Sequence, residues 1–253
     1  MKMRTIASTI AMSIIIGSAA SCAQQTEAER IASRIDAVCA PLFPEGEPGA
    51  AVLVLKGDKV IFDHGYGIAD LETGAPIDGD TFFNIASVSK QFTAVAALQL
   101  CERGILSLDT PVRDVCPQFT HSVWDGVTLG HLLSHSSGIP DARGYLTREA
   151  KVQGDEKLSM EYMSTLDWRR FEPGTAYEYI NPTFVLAGSI VGRLGGSETF
   201  MQYVRDNIFL PAGMERTLYF DRDHQELIPN MAHGYEYADV EDMPEERTAG
   251  EAP

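Results

Sequence analysis

The sequence predicts an α/β (α+β) fold in which apolar helices pack on an antiparallel sheet, and three stretches carry the prediction. Two runs rich in Val, Ile and Leu, residues 50–55 and 59–66, are joined through Gly57-Asp58 and read as a β-hairpin. Residues 81–104, TFFNIASVSKQFTAVAALQLCERG, are small or apolar on nearly every side, which predicts a short approach followed by one buried helix in the middle of a domain. In AYEYINPTFVLAGSIVGRLGG, residues Phe184, Val185, Ile190, Val191 and Leu194 recur at helical spacing until Gly195-Gly196. Such helices need a sheet, yet the only other candidate strand is residues 231–237. An isolated hairpin is marginally stable, so the C-terminal strands of the sheet are expected to be missing from these 253 residues.

Taken from its start, the chain opens with basic Lys2 and Arg4, an apolar run centred on Ile14-Ile15-Ile16, and a small-residue stretch from Ser18 to Ala23. That order predicts a secretory signal over residues 1–23. Alternatively Ala19-Ala20-Ser21-Cys22 is a lipoprotein processing site with Cys22 acylated, which would be the chain's one link to a membrane. Residues 24–238 are expected to form one domain. The acidic stretch 239–253, with two prolines, is expected not to fold.

The formal net charge is −16 over 253 residues that are 44% hydrophobic. Removal of Lys2 and Arg4 with the signal makes the mature chain two charges more negative. Such an acidic surface argues against nucleic acid and anionic membranes as partners. Cys39, Cys101 and Cys116 remain after the signal, an odd number for an oxidising compartment, and Cys101 with Cys116 is the expected pair because both flank the end of the central helix. No CxxC or Cys/His cluster suggests a metal, and no cofactor is implied.

The remaining elements follow from local signals. Ile31, Ile35 and Val38 give residues 27–39 helical spacing ending before Pro41. GYGIADLETGAPIDGDT is a turn-rich crossing, Gly104 caps the central helix at its C-terminus, and Asp109-Thr110-Pro111 opens a short helix. Residues 145–168 read as a polar helix before the turn at Glu172-Pro173-Gly174. Asn181 before Pro182 reads as an N-cap with proline at the first helical position. Phe200, Val204 and Ile208 place a further helix over residues 197–209.

Chemistry enters at Ser87 and Lys90, which a spacing of three puts on one helix face. A serine hydroxyl is a weak nucleophile until a neighbouring base takes its proton, and a neutral lysine can do so. By composition the pattern Ser-x-x-Lys arises by chance on the order of once in a chain of this length, so alone it is weak. His131 and His135 stand one helical turn apart in HLLSHSSGIP, but Leu132 occupies the place where a zinc-protease helix carries glutamate. They are expected to be packed and hydrogen-bonded, without a catalytic role. Tyr179, read alone, is an ordinary packed tyrosine.

Four segments together, FFNIASVSKQFTA, HLLSHSSGIP, FEPGTAYEYINPTFVLAGSIV and IFLPAGMERT, resemble in order and approximate distance the serine β-lactamases of class C type and their relatives among penicillin-binding proteins, D,D-peptidases, esterases and D-aminopeptidases. The resemblance covers roughly residues 50–234. Ser-x-x-Lys is the signature of the wider group, and Tyr179-Ile180-Asn181 matches the Tyr-x-Asn motif of its class C type. The resemblance implies a β-lactamase/transpeptidase-like fold. It further implies that Ser87 is the acylated nucleophile and that Lys90 keeps its proton mobile. Tyr179, its phenol pKa lowered by lysine charge, would relay protons, and Asn181 would bind the substrate's acyl-side carbonyl while holding Lys90.

The family's third motif, Lys or His, one residue, then Gly on a strand edging the site, does not occur in these residues. Two readings follow. One is an exported serine hydrolase, periplasmic or secreted, acting on a β-lactam, a D-Ala-D-Ala peptide or an ester. The other is a truncated, non-catalytic remnant that binds cell-wall peptide or a partner chain through an incomplete sheet edge. The sequence implies no particular oligomeric state.

Overall fold

The computed structural model describes residues 26–141, 156–220 and 228–235. The expected signal, Cys22 and the acidic tail lie outside them. The chain divides into two compact units, Met1–Thr81 with Asn230–Pro253, and Phe82–Pro229.

The first unit is built on helix α1 (Glu27–Cys39) and a hairpin of β1 (Ala50–Lys56) and β2 (Lys59–Tyr66). Thr26 starts α1 with a capping box: its hydroxyl accepts from Glu29 N–H at 3.2 Å and its own N–H donates to Glu29 Oε2 at 2.7 Å. The hairpin is antiparallel, pairing Ala50 with Tyr66 and Lys56 with Lys59, with an irregularity between Val54 and Leu55. Gly57 turns it at a φ of 58°, where a side chain would be strained. Tyr66 ties the hairpin to α1 by donating its phenol to Asp36 Oδ1 at 3.0 Å and stacking on Phe43.

The stretch expected as a plain crossing contains a second small ladder, β3 (Ile68–Asp70) with β4 (Ala75–Pro76). Its turn is closed by Asp70, which accepts from Glu72 N–H and the Thr73 hydroxyl. The candidate strand at residues 231–237 does not extend over its described part. A bridge at Met231 and a bond from His233 N–H to Ala69 O are what it contributes.

The second unit is helical. A 3₁₀ turn (Ala86–Ser89) leads into α2 (Lys90–Glu102), followed by α3 (Val112–Val115), a 3₁₀ turn (Ser122–Trp124), α4 (Leu129–Leu133) and α5 (Glu156–Ser164). Next come α6 (Asn181–Leu194), α7 (Phe200–Val204) and a π-turn (Arg205–Phe209). Of the helix expected over residues 145–168, residues 145–155 lie outside the described ones, and α5 ends at Ser164.

The centre of this unit is α6 rather than the Ser87 helix. Every residue from Pro182 to Val191 except Val185 is buried, and α6 touches α2, α4, α5 and α7. Phe119, Trp124, Leu132, Leu186, Ile190 and Tyr203 fill the core around it. Helix α2, by contrast, buries Thr93, Ala96, Ala97 and Leu100 but leaves Val95 and Leu98, continued by Val88 in the turn before it, as an apolar stripe more than 40% exposed. The stripe recurs at the helical period, so one side of α2 is a surface, contrary to the expectation of burial all round. As expected, Gly104 ends α2 at a φ of 70°.

The expected Cys101–Cys116 disulfide is not formed: Cys39, Cys101 and Cys116 are free. Cys116 is buried in the core, which pushes its thiol pKa up against the opposing pull of Arg193.

Candidate active site

Ser87 is the second residue of the 3₁₀ turn before α2, in which Val88 N–H donates to Ile85 O at 3.0 Å. The turn is entered through Ala86 at a φ of 44°, a conformation rare for a residue with a Cβ, and Asn84 Oδ1 holds it by accepting from Ala86 N–H at 2.8 Å. The result aims Ser87 outward while Lys90 begins the α-helix beneath it. Lys90 Nζ donates to Ser87 Oγ at 3.0 Å.

Helix α6 supplies the opposite side. Asn181 is not the N-cap expected from sequence: Ile180 takes that place, with extended backbone and no side-chain cap, and Asn181 is the first helical residue. Its amide oxygen is thereby free to turn towards α2, where it accepts from Lys90 Nζ at 2.6 Å. Tyr179, just before the helix, is 44% exposed and donates its hydroxyl to Ser87 Oγ at 2.6 Å. Lys90 Nζ lies 4.8 Å from the centroid of the Tyr179 ring and 5.6 Å from that of Phe184. All four residues singled out in the sequence, Ser87, Lys90, Tyr179 and Asn181, thus meet in one constellation, though 92 positions separate Ser87 from Tyr179.

A fifth residue joins them that sequence reasoning set aside. His135 follows α4 in a left-handed conformation, φ 55°, which takes it off the helix carrying His131. Its ring is buried and lies 4.5 Å from the Tyr179 ring and 4.9 Å from the Phe184 ring, while Nδ1 accepts from Ile180 N–H at 3.1 Å. Its carbonyl accepts from Glu178 N–H at 2.9 Å. The strand-like approach to α6 is therefore held by His135 on both sides of Tyr179. Burial first, and the Lys90 charge second, lower the imidazole pKa below its ordinary value. His131 does a separate job, with Nδ1 near Thr128 N–H in the cap of α4. The His/Ser-rich wording of HLLSHSSGIP was the available signal, but nothing in it says which histidine turns inward.

Such an arrangement is suited to moving a proton off Ser87. Its Oγ lies at hydrogen-bond distance from both an amine and a phenol, and either group, once it has given up a proton of its own, is in place to take the serine's. Among the described residues no group of three His, Cys, Asp or Glu side chains is placed to hold a metal ion.

Residues 31–252 match the Beta-lactamase family. The chain belongs to the β-lactamase family. Within it, the chain is 33% identical over 194 residues to Penicillin-binding protein 4* of Bacillus subtilis (strain 168), covering 74% of this chain and 41% of that protein. It is 32% identical over 191 residues to Esterase EstB of Burkholderia gladioli, covering 67% and 47%. Among solved structures, the octameric penicillin-binding protein homologue from Pyrococcus abyssi superposes with a TM-score of 0.67 at 28% identity, over 85% of this chain and 48% of that one. This β-lactamase-family chain thus spans less than half the length of these relatives. The fold is the β-lactamase/transpeptidase-like α+β fold, with helices and antiparallel ladders as expected.

Proposed function

We propose that this chain carries the acyl-transfer centre of a serine hydrolase, with Ser87 as nucleophile, Lys90 and Tyr179 as the groups that move its proton, and Asn181 as the residue that holds Lys90 and meets the substrate's acyl-side carbonyl. The observation that carries the reading is Ser87 Oγ bonded at once to Lys90 Nζ and Tyr179 OH.

In the first step Ser87 Oγ attacks the carbonyl carbon of an ester or amide. The Oγ–C bond forms as the serine proton passes to the Lys90–Tyr179 pair. The bond to the leaving group then breaks, and the pair returns that proton to the departing oxygen or nitrogen. Water cleaves the acyl–Oγ bond in the second step, releasing the acid and restoring the hydroxyl. The N–H of Ser87 itself, at the start of the turn leading into α2, is the backbone donor nearest a developing oxyanion, since Ala86 N–H and Val88 N–H are taken by Asn84 Oδ1 and Ile85 O. β-Lactams, D-Ala-D-Ala peptides and esters all fit this chemistry, and names among the relatives, a penicillin-binding protein and an esterase, support the range. Export belongs to the same reading, supported by the basic, apolar, small-residue order of residues 1–23, with Cys22 as the alternative lipid site.

The test is the intact mass of the purified chain after exposure to a penicillin and, separately, to an activated ester. A stoichiometric adduct is expected, absent from Ser87→Ala. Equal labelling of that variant would refute the nucleophile assignment.

A further inference from the structure

Beside Ser87 lies a cavity of about 660 Å³, within the usual range for ligand pockets. Lys90 and Asn181 share its Ser87 end, and among the described residues Lys90 is the one charged side chain on its wall. Beyond them the wall is carried by Phe184, Val185, Gly188, Phe200, Met201 and Phe220. Two of the polar groups further in are already bonded, Tyr219 donating its hydroxyl to Ser89 O at 2.9 Å and Thr199 Oγ1 accepting from Gln202 N–H at 3.1 Å, while the small hydroxyl of Ser189 also lies on the wall.

Two features make this more than leftover space. Gly188 sits inside the 14-residue helix α6, where glycine is less favourable than alanine. A Cβ there would meet only the Phe200 ring at 3.6 Å, an ordinary contact, so packing does not demand glycine; a longer side chain would extend into the cavity. Second, Tyr179 is not part of the wall. With Tyr179 as the member of the pair that hands the proton to the leaving group, the cavity on the other side of Ser87 is left to the acyl portion.

Resting on the serine-hydrolase reading above, we propose that this cavity is an acyl-binding pocket and that the substrates are esters of apolar, medium-length acyl chains. An apolar chain of several methylenes gains from such walls, whereas a peptide stem would strand its amides there.

The experiment compares kcat/KM for p-nitrophenyl octanoate and p-nitrophenyl acetate in the full chain, in Gly188→Leu and in Met201→Trp, with the penicillin adduct measured in parallel. Octanoate is expected to exceed acetate by at least about tenfold, and the octanoate-to-acetate ratio to fall by a similar factor in both variants. Met201 is 39% exposed, so its replacement tests the pocket even if Gly188→Leu fails to fold. A ratio unchanged in folded variants would overturn the pocket. Acetate equal to octanoate in the parent chain, with a Ser87-dependent penicillin adduct still formed, would overturn the substrate class alone. No Ser87-dependent adduct with any reagent would overturn the hydrolase reading, and the pocket with it.

Discussion

His135 Nδ1 accepts the N–H of Ile180 at 3.1 Å, and Ile180 is the residue between Tyr179 and Asn181. One buried ring therefore sets the position of both motif residues, and it can do so only while Nδ1 carries no proton.

That bond makes stability and activity pH-dependent. An unfolded histidine titrates near 6.5, and His135 in the fold titrates lower because of burial and Lys90. Above pH ~6.5 both states are neutral and nothing changes. As pH falls through that value the unfolded chain takes the proton first, so folding loses stability until the folded pKa is also passed. The drop in Tm between pH 7.5 and 5.5 is expected to be smaller in His135→Asn than in the parent chain. Asparagine tolerates the positive φ and offers an acceptor, but does not titrate. Equal drops in both proteins would remove His135 as the source.

Tyr179→Phe keeps the ring against His135 but deletes the hydroxyl on Ser87. Acylation by an activated ester is expected to persist while deacylation slows by about 10²–10⁴-fold. Burst amplitude against steady-state rate separates the two steps, and unaltered turnover would exclude Tyr179 from proton transfer.

Asn181→Ala removes the 2.6 Å partner of Lys90, a bond to a charged donor of the kind that contributes about 1.5–3 kcal/mol. Thermal unfolding is expected to show a loss in that range. Asn181→Asp should instead set a carboxylate against Lys90 Nζ and tie the amine into an ion pair, away from proton exchange with Ser87. Its acylation rate with an activated ester is expected to fall. An acylation rate equal to the parent's would separate Lys90 from the base function.

Two glycines with similar φ should respond differently to alanine. At Gly104 (φ 70°) a Cβ meets nothing within 4 Å, so the expected loss is the conformational one, about 1–2 kcal/mol. At Gly138 (φ 75°) the Cβ would lie 2.0 Å from Phe171 O, and backbone must move. Denaturant titration of Gly138→Ala is expected to show a loss of roughly 3 kcal/mol or more. Equal values for the two would contradict the close approach of the 138 and 171 segments.

Local signals in the chain were enough for the hairpin at Gly57, the end of α2 at Gly104, and the helix after Pro182, because turn and cap chemistry acts within a few residues. Ser-x-x-Lys and Tyr-x-Asn were readable for the same reason: each motif is short, and their order along the chain is a one-dimensional property. Sequence by itself therefore determined the family, the fold class and the four candidate residues.

Distance across the fold was beyond it. That Ile180 rather than Asn181 takes the cap position, that His135 rather than His131 turns inward, that α6 rather than α2 is the buried centre, and that Cys101 and Cys116 remain apart all depend on which faces meet after packing. Helical periodicity says that a face is apolar, but not whether another element covers it, and so the exposed stripe of Val88, Val95 and Leu98 could not be foreseen. The cavity beside Ser87 belongs to the same class of fact, since its walls come from the turn before α2, from α2 and α6, and from residues near 200 and 220, which only packing brings together.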